Sequence, residues 1–269
     1  LNGTVNKPPR VWVRGAGELA SAAVVSLHRA GFHVWLSELP SPLAIRRTVA
    51  FSDAVFDGAA VVEDVECVLC EPENVVNLLG TGRVPLVLDD PARILPLSPE
   101  VVVDARMRKK DDPELAAFAS FTVGLGPGFS AGKSCSCVIE TMRGHNLGRI
   151  FWQGSPRADT GVPANIGGEG ARRVVYSPAG GEVSWEVDFG DLVEEGQRLG
   201  EVGGREIVAP FRGIVRGLIS PRIIVPERTK IADVDPRGAG VDYRSISDKA
   251  RSVGRAVLEA ILIHGARNG

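Results

Sequence analysis

The sequence predicts an α/β Rossmann-like N-terminal domain, then an all-β barrel-sandwich domain of the biotinyl/lipoyl type, then a terminal helix. Three observations carry this reading. A strand–glycine turn–helix–strand unit opens the chain, an apolar strand rhythm continues to about residue 130, and short apolar alternations separated by glycines take over after about residue 150. The expected limits are 1–150 for the first domain, 151–242 for the second and 243–269 for the helix.

VWV at 11–13 is a short apolar strand, and G-x-G-x-x-A follows it at Gly15, Gly17 and Ala20. Such glycines let a backbone approach a pyrophosphate, and a small third residue lets helix and strand pack closely. Leu19, Ala23, Val24 and Leu27 recur at helical spacing and Gly31 ends that helix. HVWLSE is the second strand, closed by Glu38 about 20 residues on, where an acid can bond a ribose 2′-OH. Arg46 and Arg47 then favour a 2′-phosphate, so NAD and NADP both stay open; a subunit contact is the other use for adjacent arginines. The alternative for the whole unit is the same fold with an empty cofactor site.

Further strands are expected at VECVLC, VPLVLDD, VVVDARM and FASFTVGLG, with a helix over 73–79. The last of these runs into GLGPGFSAGKS, residues 124–134, which ends like a Walker A loop in Gly132, Lys133 and Ser134. Its spacing is wrong, because Pro127 stands where the first glycine belongs and Gly126 and Gly128 flank it. The loop reads instead as a second backbone cradle at the carboxyl edge of the sheet, leading into a helix at SCSCVIETM. Arg143 and His145 lie just beyond and can add charge-assisted bonds; Glu140 and His145 are the candidate acid–base groups. A solvated helix end is the competing reading of these three.

The stretch GGEVSWEVDFGDLVEEGQRLGEVGGREIVAPFRGIVRGLI resembles the small biotin- and lipoyl-carrier domains. Its hairpin tip is Gly203, Gly204 and Arg205, with no lysine to modify. Ile246, Ala250, Val253, Val257, Ala260, Ile261 and His264 form one stripe of the terminal helix, which makes His264 a packed residue. Cys67, Cys70, Cys135 and Cys137 are expected as reduced thiols, since strand alternation sends Cys67 and Cys70 to opposite faces; no metal site is expected. Asp233, Asp235 and Arg237 read as a capped turn, with a hard cation as the alternative.

Hydrophobic residues are 44% and charged residues 24% of 269, and the net charge is −2, which argues against nucleic acid or an anionic membrane as partner. There is no apolar run of transmembrane length, and the polar start lacks a signal-peptide core, so a cytoplasmic location is expected.

RGAGELA, AIRRTVAFSDAVFDG, GLGPGFSAG, VIETMRGHNLGRI, DTGVP, KIADVDPR and ISDKARSVGRAVLEAIL together resemble the selenium-dependent molybdenum hydroxylase accessory proteins, the YqeB-like family. The resemblance implies an accessory or maturation protein for molybdenum-dependent hydroxylases, partnered by the hydroxylase or its maturation machinery; a homo-oligomer stays open. It marks Gly15, Gly17, Arg46, Arg47, Gly126, Gly128, Glu140, Arg143, His145 and Asp235 as motif positions. The chain departs from the family at KSCSC, so Lys133, Ser134, Cys135 and Cys137 take no family role. The expected ligand is a nucleotide-like anion, a dinucleotide or pterin dinucleotide, spanning the Gly15 and Gly126 loops. An NAD(P)-dependent oxidoreductase with His145 as proton donor and a non-catalytic scaffold are the rival functions.

Overall fold

A computed structural model describes residues 8–110, 113–159 and 167–268. DTGVP therefore lies largely outside the described residues. The chain builds one nine-stranded mixed sheet and two four-stranded antiparallel sheets. The large sheet takes β1 (Arg10–Arg14), β2 (His33–Glu38), β3 (Ala59–Val62), β4 (Val65–Leu69), β5 (Arg83–Leu88), β6 (Val101–Asp104), β7 (Phe121–Leu125), β8 (Cys137–Ile139) and β9 (Ile150–Phe151). Their order is β3-β4-β5-β2-β1-β6-β7-β8-β9. All neighbours pair parallel except at the two edges, where β3 joins β4 and β8 joins β9 antiparallel.

Strand alternation gives this sheet two apolar faces. Val11, Val13, Leu36 and Val103 point to one side and Trp12, Trp35 and Val102 to the other, all buried. The first side is covered by the helix Glu18–Arg29 and, beside it, by the last helix, Asp248–Asn268. The other side is covered by short turns such as Pro72–Asn74, Val75–Leu78, Pro91–Ile94 and Pro113–Ala117.

The remaining strands are β10 (Val174–Tyr176), β11 (Gly181–Trp185), β12 (Leu192–Val193), β13 (Arg198–Val202), β14 (Arg205–Val208), β15 (Gly213–Leu218), β16 (Ile224–Val225) and β17 (Lys230–Asp235). They form β10-β17-β15-β12 and β14-β13-β11-β16, which share a core that includes Val183, Leu199, Val215, Ile231 and Val234.

The expected fold is corrected on both counts. A doubly wound Rossmann-like unit needs a packing helix in each crossover; here most crossovers are single turns, the second long helix comes from the far end of the sequence, and both sheet edges are antiparallel. The carrier-type barrel-sandwich gives way to two separate antiparallel sheets, interrupted by register shifts at Val175/Tyr176, Arg198/Gly200 and Val215/Gly217. SCSCVIETM is no helix: Cys137, Val138 and Ile139 pair with β7 as β8. Among the described residues no helix is long and apolar enough to cross a membrane.

Candidate functional site

A cavity of about 380 Å³ opens at the carboxyl ends of β1, β2 and β6. Its volume lies in the roughly 300–1,000 Å³ range of small-molecule sites. Gly15 and Gly17 form one wall, Leu39, Leu43, Ala44 and Ile45 an apolar one, and Glu18, Glu38, Arg46, Asp89, Arg106 and Met107 supply the larger polar and flexible groups. Leu39 and Leu43 stand at its rim, 49% and 56% exposed.

Gly15 turns the chain at φ +98°, and its N–H bonds the Ser37 carbonyl at 2.7 Å. This places the Ala16 N–H over the end of β2. Glu38 answers it: its Oε2 accepts that N–H at 2.7 Å and its Oε1 accepts the Leu39 N–H at 2.7 Å. Among the described residues no cation forms a salt bridge with Glu38. Burial pushes its carboxyl above the usual range and Asp89 nearby adds to the rise, while the two backbone bonds and the charge of Arg106 pull the other way.

Beneath the cavity lies a satisfied polar chain. Trp12 Nε1 donates to Ser37 Oγ at 2.8 Å, Ser37 Oγ donates to Asp89 Oδ1 at 2.6 Å, and Arg14 grips Asp89 at 2.7 and 3.2 Å. Burial would raise the Asp89 carboxyl, but the bonds from Arg14 and Ser37 outweigh it and hold it below its usual range. Arg106 is held by Asp104 through its Nε at 3.0 Å. Glu38 is thus held by backbone N–H groups, with Arg106 acting on it from beyond salt-bridge distance.

The expected site residues do not converge on one pocket. Gly15, Gly17, Glu38 and Arg46 line the cavity. Arg46 is 7% exposed, faces Glu18 at 3.6 Å and donates to the Arg216 carbonyl at 3.2 Å. Arg47 points elsewhere, chelating Asp53 at 2.9 and 3.1 Å with its guanidinium 5.5 Å from the Phe189 ring. Gly126 turns at φ +87° against Met107 and Thr141 and spends its N–H on the Ile139 carbonyl at 3.1 Å. Gly128 abuts the Arg108 carbonyl. The second loop is therefore packed solid, with Met107 standing between it and the cavity. Arg143 pairs with Asp248 at 2.6 and 2.7 Å. Glu140 is 1% exposed, and its two oxygens accept the Met142 and Arg157 N–H groups at 2.7 and 2.9 Å, a structural use. His145 is exposed and lines no part of the cavity.

The Walker-like end forms a tight turn in which Ser134 Oγ accepts the Ser130 N–H at 2.9 Å and Lys133 is exposed. Asp233 and Asp235 are engaged by Arg216 at 2.8 and 3.3 Å, and Asp235 also by Arg237 at 2.7 Å. Among the described residues no group of three or more His, Cys, Asp or Glu is placed to hold a metal ion. Burial pushes the Cys70 thiol up to about 11 and Cys137 up to about 12. Sequence reasoning missed Glu18, Asp89, Arg106 and Met107. Asp89 had a visible signal, the acid ending an apolar strand in LVLDD.

No protein-family model matches the chain. Over 255 residues it is 44% identical to the uncharacterized protein YqeB of Escherichia coli strain K12, a match covering 94% of this chain and 47% of that protein. The chain spans about half the length of this curated relative. Solved structures with some likeness are an aspartoacylase family protein of Mesorhizobium loti (TM-score 0.28, 12% identity, 84% of this chain and 85% of that one) and a succinylglutamate desuccinylase/aspartoacylase of Rhodobacter sphaeroides (TM-score 0.26, 16% identity, 85% of each). At those scores neither lends this chain a fold or an activity.

The expected functions are corrected here. The geometry of the two glycine loops overturns the dinucleotide reading: the Glu38 carboxylate occupies the N–H group that a pyrophosphate would need, and the Gly126 turn is packed against Met107 and Thr141. With no Rossmann unit there is no empty Rossmann site, so the scaffold reading falls too.

Proposed function

We propose that the protein binds a small organic molecule in the cavity at the ends of β1, β2 and β6, and that Glu38 receives an amino or hydroxyl group of it. The observation that carries this is the Glu38 carboxyl: desolvated, without a salt bridge among the described residues, and set in a pocket whose rim is leucine. Such a carboxyl gains most from a ligand that donates to it, and perturbed acids in apolar clefts mark binding sites. The apolar wall of Leu39, Leu43 and Ile45 asks for a hydrocarbon body on the same molecule. We further propose kinship with the YqeB-like accessory family, supported by the 44% identity; this is a statement of descent and assigns no reaction.

The test is a thermal-shift titration with a panel of aliphatic and aromatic amines and alcohols. Ligands that bind the native state raise its melting temperature. The expected result is a saturable rise for some members, lost in Leu43→Trp, which fills the mouth, and weakened at least tenfold in Glu38→Ala. Binding that survives both substitutions would overturn the assignment, as would a panel without effect. NAD and NADP are expected to give no shift.

A further inference from the structure

A second site lies where the last helix and the small antiparallel sheets meet the large sheet, and here the charge does not balance. Asp233, 2% exposed, faces Arg216 at 2.8 Å and Arg173 at 3.6 Å, and it is also the nearest acid acting on Lys230. Its neighbour Asp235 is already shared by Arg216 and Arg237. Neither Lys230 nor Lys249 has a salt-bridge partner among the described residues, and each lysine is repelled by cations around it: Arg173 and Arg216 for Lys230, Arg143 and Lys230 for Lys249. Glu18 is the carboxylate that reaches both, and it is committed to Arg46 at 3.6 Å and to the Ser247 N–H at 3.1 Å.

Two further details make this a site and not a crowded surface. Arg173 is 6% exposed, yet its Nε and Nη1 make no hydrogen bond: Nη1 stops 3.6 Å short of Asp233 Oδ1, itself unbonded, and Arg46 Nε, 3.6 Å from Glu18, makes none either. Buried guanidinium donors are ordinarily satisfied, and Arg173 Nε is the one here with no carboxylate facing it, a donor that an added acceptor would satisfy. Lys249 also sits in the first turn of the 21-residue last helix, the positive end of the helix dipole, where a cation is disfavoured and an anion is stabilised. Lys230 is exposed, yet enough protein surrounds it that burial lowers its ammonium.

We propose that this cluster of cations, Arg173, Arg216, Lys230 and Lys249, binds a multivalent oxyanion of the phosphate class. Guanidinium and ammonium groups from four separate elements supply the convergent donors that such an ion takes. Glu18 and Arg46, which line the cavity that holds Glu38, stand between the two sites, and neither reading depends on the other.

The experiment titrates the whole chain with inorganic phosphate, sulfate and phenyl phosphate against chloride at constant ionic strength, reading melting temperature and heat of binding. The expected result is a saturable rise with phosphate and sulfate and none with chloride. Phenyl phosphate distinguishes a free ion from a phosphoryl group on a larger molecule; a response to either supports the site. In Lys230→Met/Lys249→Met the affinity falls at least tenfold, while the variant in chloride melts no lower than the parent because it sheds repulsion. Arg173→Met, with its fold verified by circular dichroism, shows the same loss. Leu43→Trp leaves the phosphate titration unchanged. Equal melting in phosphate and chloride, or undiminished binding in both lysine and arginine variants, would overturn the proposal.

Discussion

Glycines 17 and 128 obey opposite constraints. A methyl group at Gly17 meets nothing within 4 Å, and the residue sits at an ordinary φ of −71°; at Gly128 the same methyl collides with the Arg108 carbonyl. Gly17→Ala is therefore expected to cost no more than ~1 kcal/mol, the advantage of glycine over alanine at a helix N-cap. Gly128→Ala should cost ~1–3 kcal/mol, the range for forcing atoms into a packed interior. Urea denaturation of the two variants checks this; a severe loss at 17 with tolerance at 128 would contradict the packing described. The spacing of Gly15, Gly17 and Glu38 made the turn and the strand-end acid legible in the sequence. What the acid bonds was not legible, since a carboxylate at that position can accept either a ribose hydroxyl or the turn's own N–H. The tightness at Gly128 was hidden for a different reason: the atom it touches belongs to Arg108, on another loop.

The first and last helices lie together because small residues let their backbones approach. A Cβ at Gly254 would stand 2.5 Å from the Ala22 carbonyl oxygen, with Ala250, Val253 and Val257 filling the rest of the seam. Replacing a mid-helix glycine with alanine ordinarily stabilises a helix by up to ~1 kcal/mol. Here the sign reverses: Gly254→Ala is expected to destabilise by ~1–3 kcal/mol, the cost of overpacking against backbone. A raised melting temperature would show that the seam has room for a methyl group at 254. The same helix carries a pH signature at its start. Arg143 bonds to the Asp248 carboxylate and holds it down to about 2, below its reference value of 3.8. A depressed acid contributes stability above its unfolded value, and that contribution fades as pH falls through the folded one. Asp248 is 75% exposed on its side chain, so the loss in Asp248→Asn at neutral pH is set at ~0.5 kcal/mol. The variant and parent should converge by about pH 2. A difference persisting there would assign the effect to packing. This helix was readable as a stripe at helical spacing. SCSCVIETM misled because β8 is only three residues long and owes its state to pairing with β7, a tertiary fact that short local patterns do not encode.

At the scale of the whole molecule, the segment 45–57 couples two cores that share no strand. Ile45 offers its carbonyl to the Leu218 N–H at 2.8 Å, and Gly217 leaves room for that approach. Thr48 Oγ1 donates to the Tyr243 carbonyl at 2.6 Å, Phe56 packs on the core of the antiparallel sheets, and Arg222 pairs with Asp57. The arginines expected to grip a phosphate lie in this strap, with Arg46 reaching the Arg216 carbonyl. The sequence marked the stretch as unusual through its paired arginines, but residues that staple two units and residues that bind a ligand look alike until the partner at position 216 is in place. Tight coupling predicts one unfolding transition for the chain. Trp12 and Trp35 report the large sheet and Trp185, bonded through Nε1 to the Ile219 carbonyl at 3.0 Å, reports the antiparallel sheets. Their fluorotryptophan resonances should vanish together in urea. Phe56→Ala removes the ring at the junction, which for a partly buried aromatic costs ~2–3 kcal/mol, below the range for fully buried ones. Because Phe56 belongs to the core that Trp185 reports, the variant should lose Trp185 at lower urea than Trp12 and Trp35, splitting the transition. Three resonances that still disappear together at an unshifted midpoint would mean that the strap does not join the cores, and that the large sheet and the antiparallel sheets are held by the salt bridges of the last helix instead.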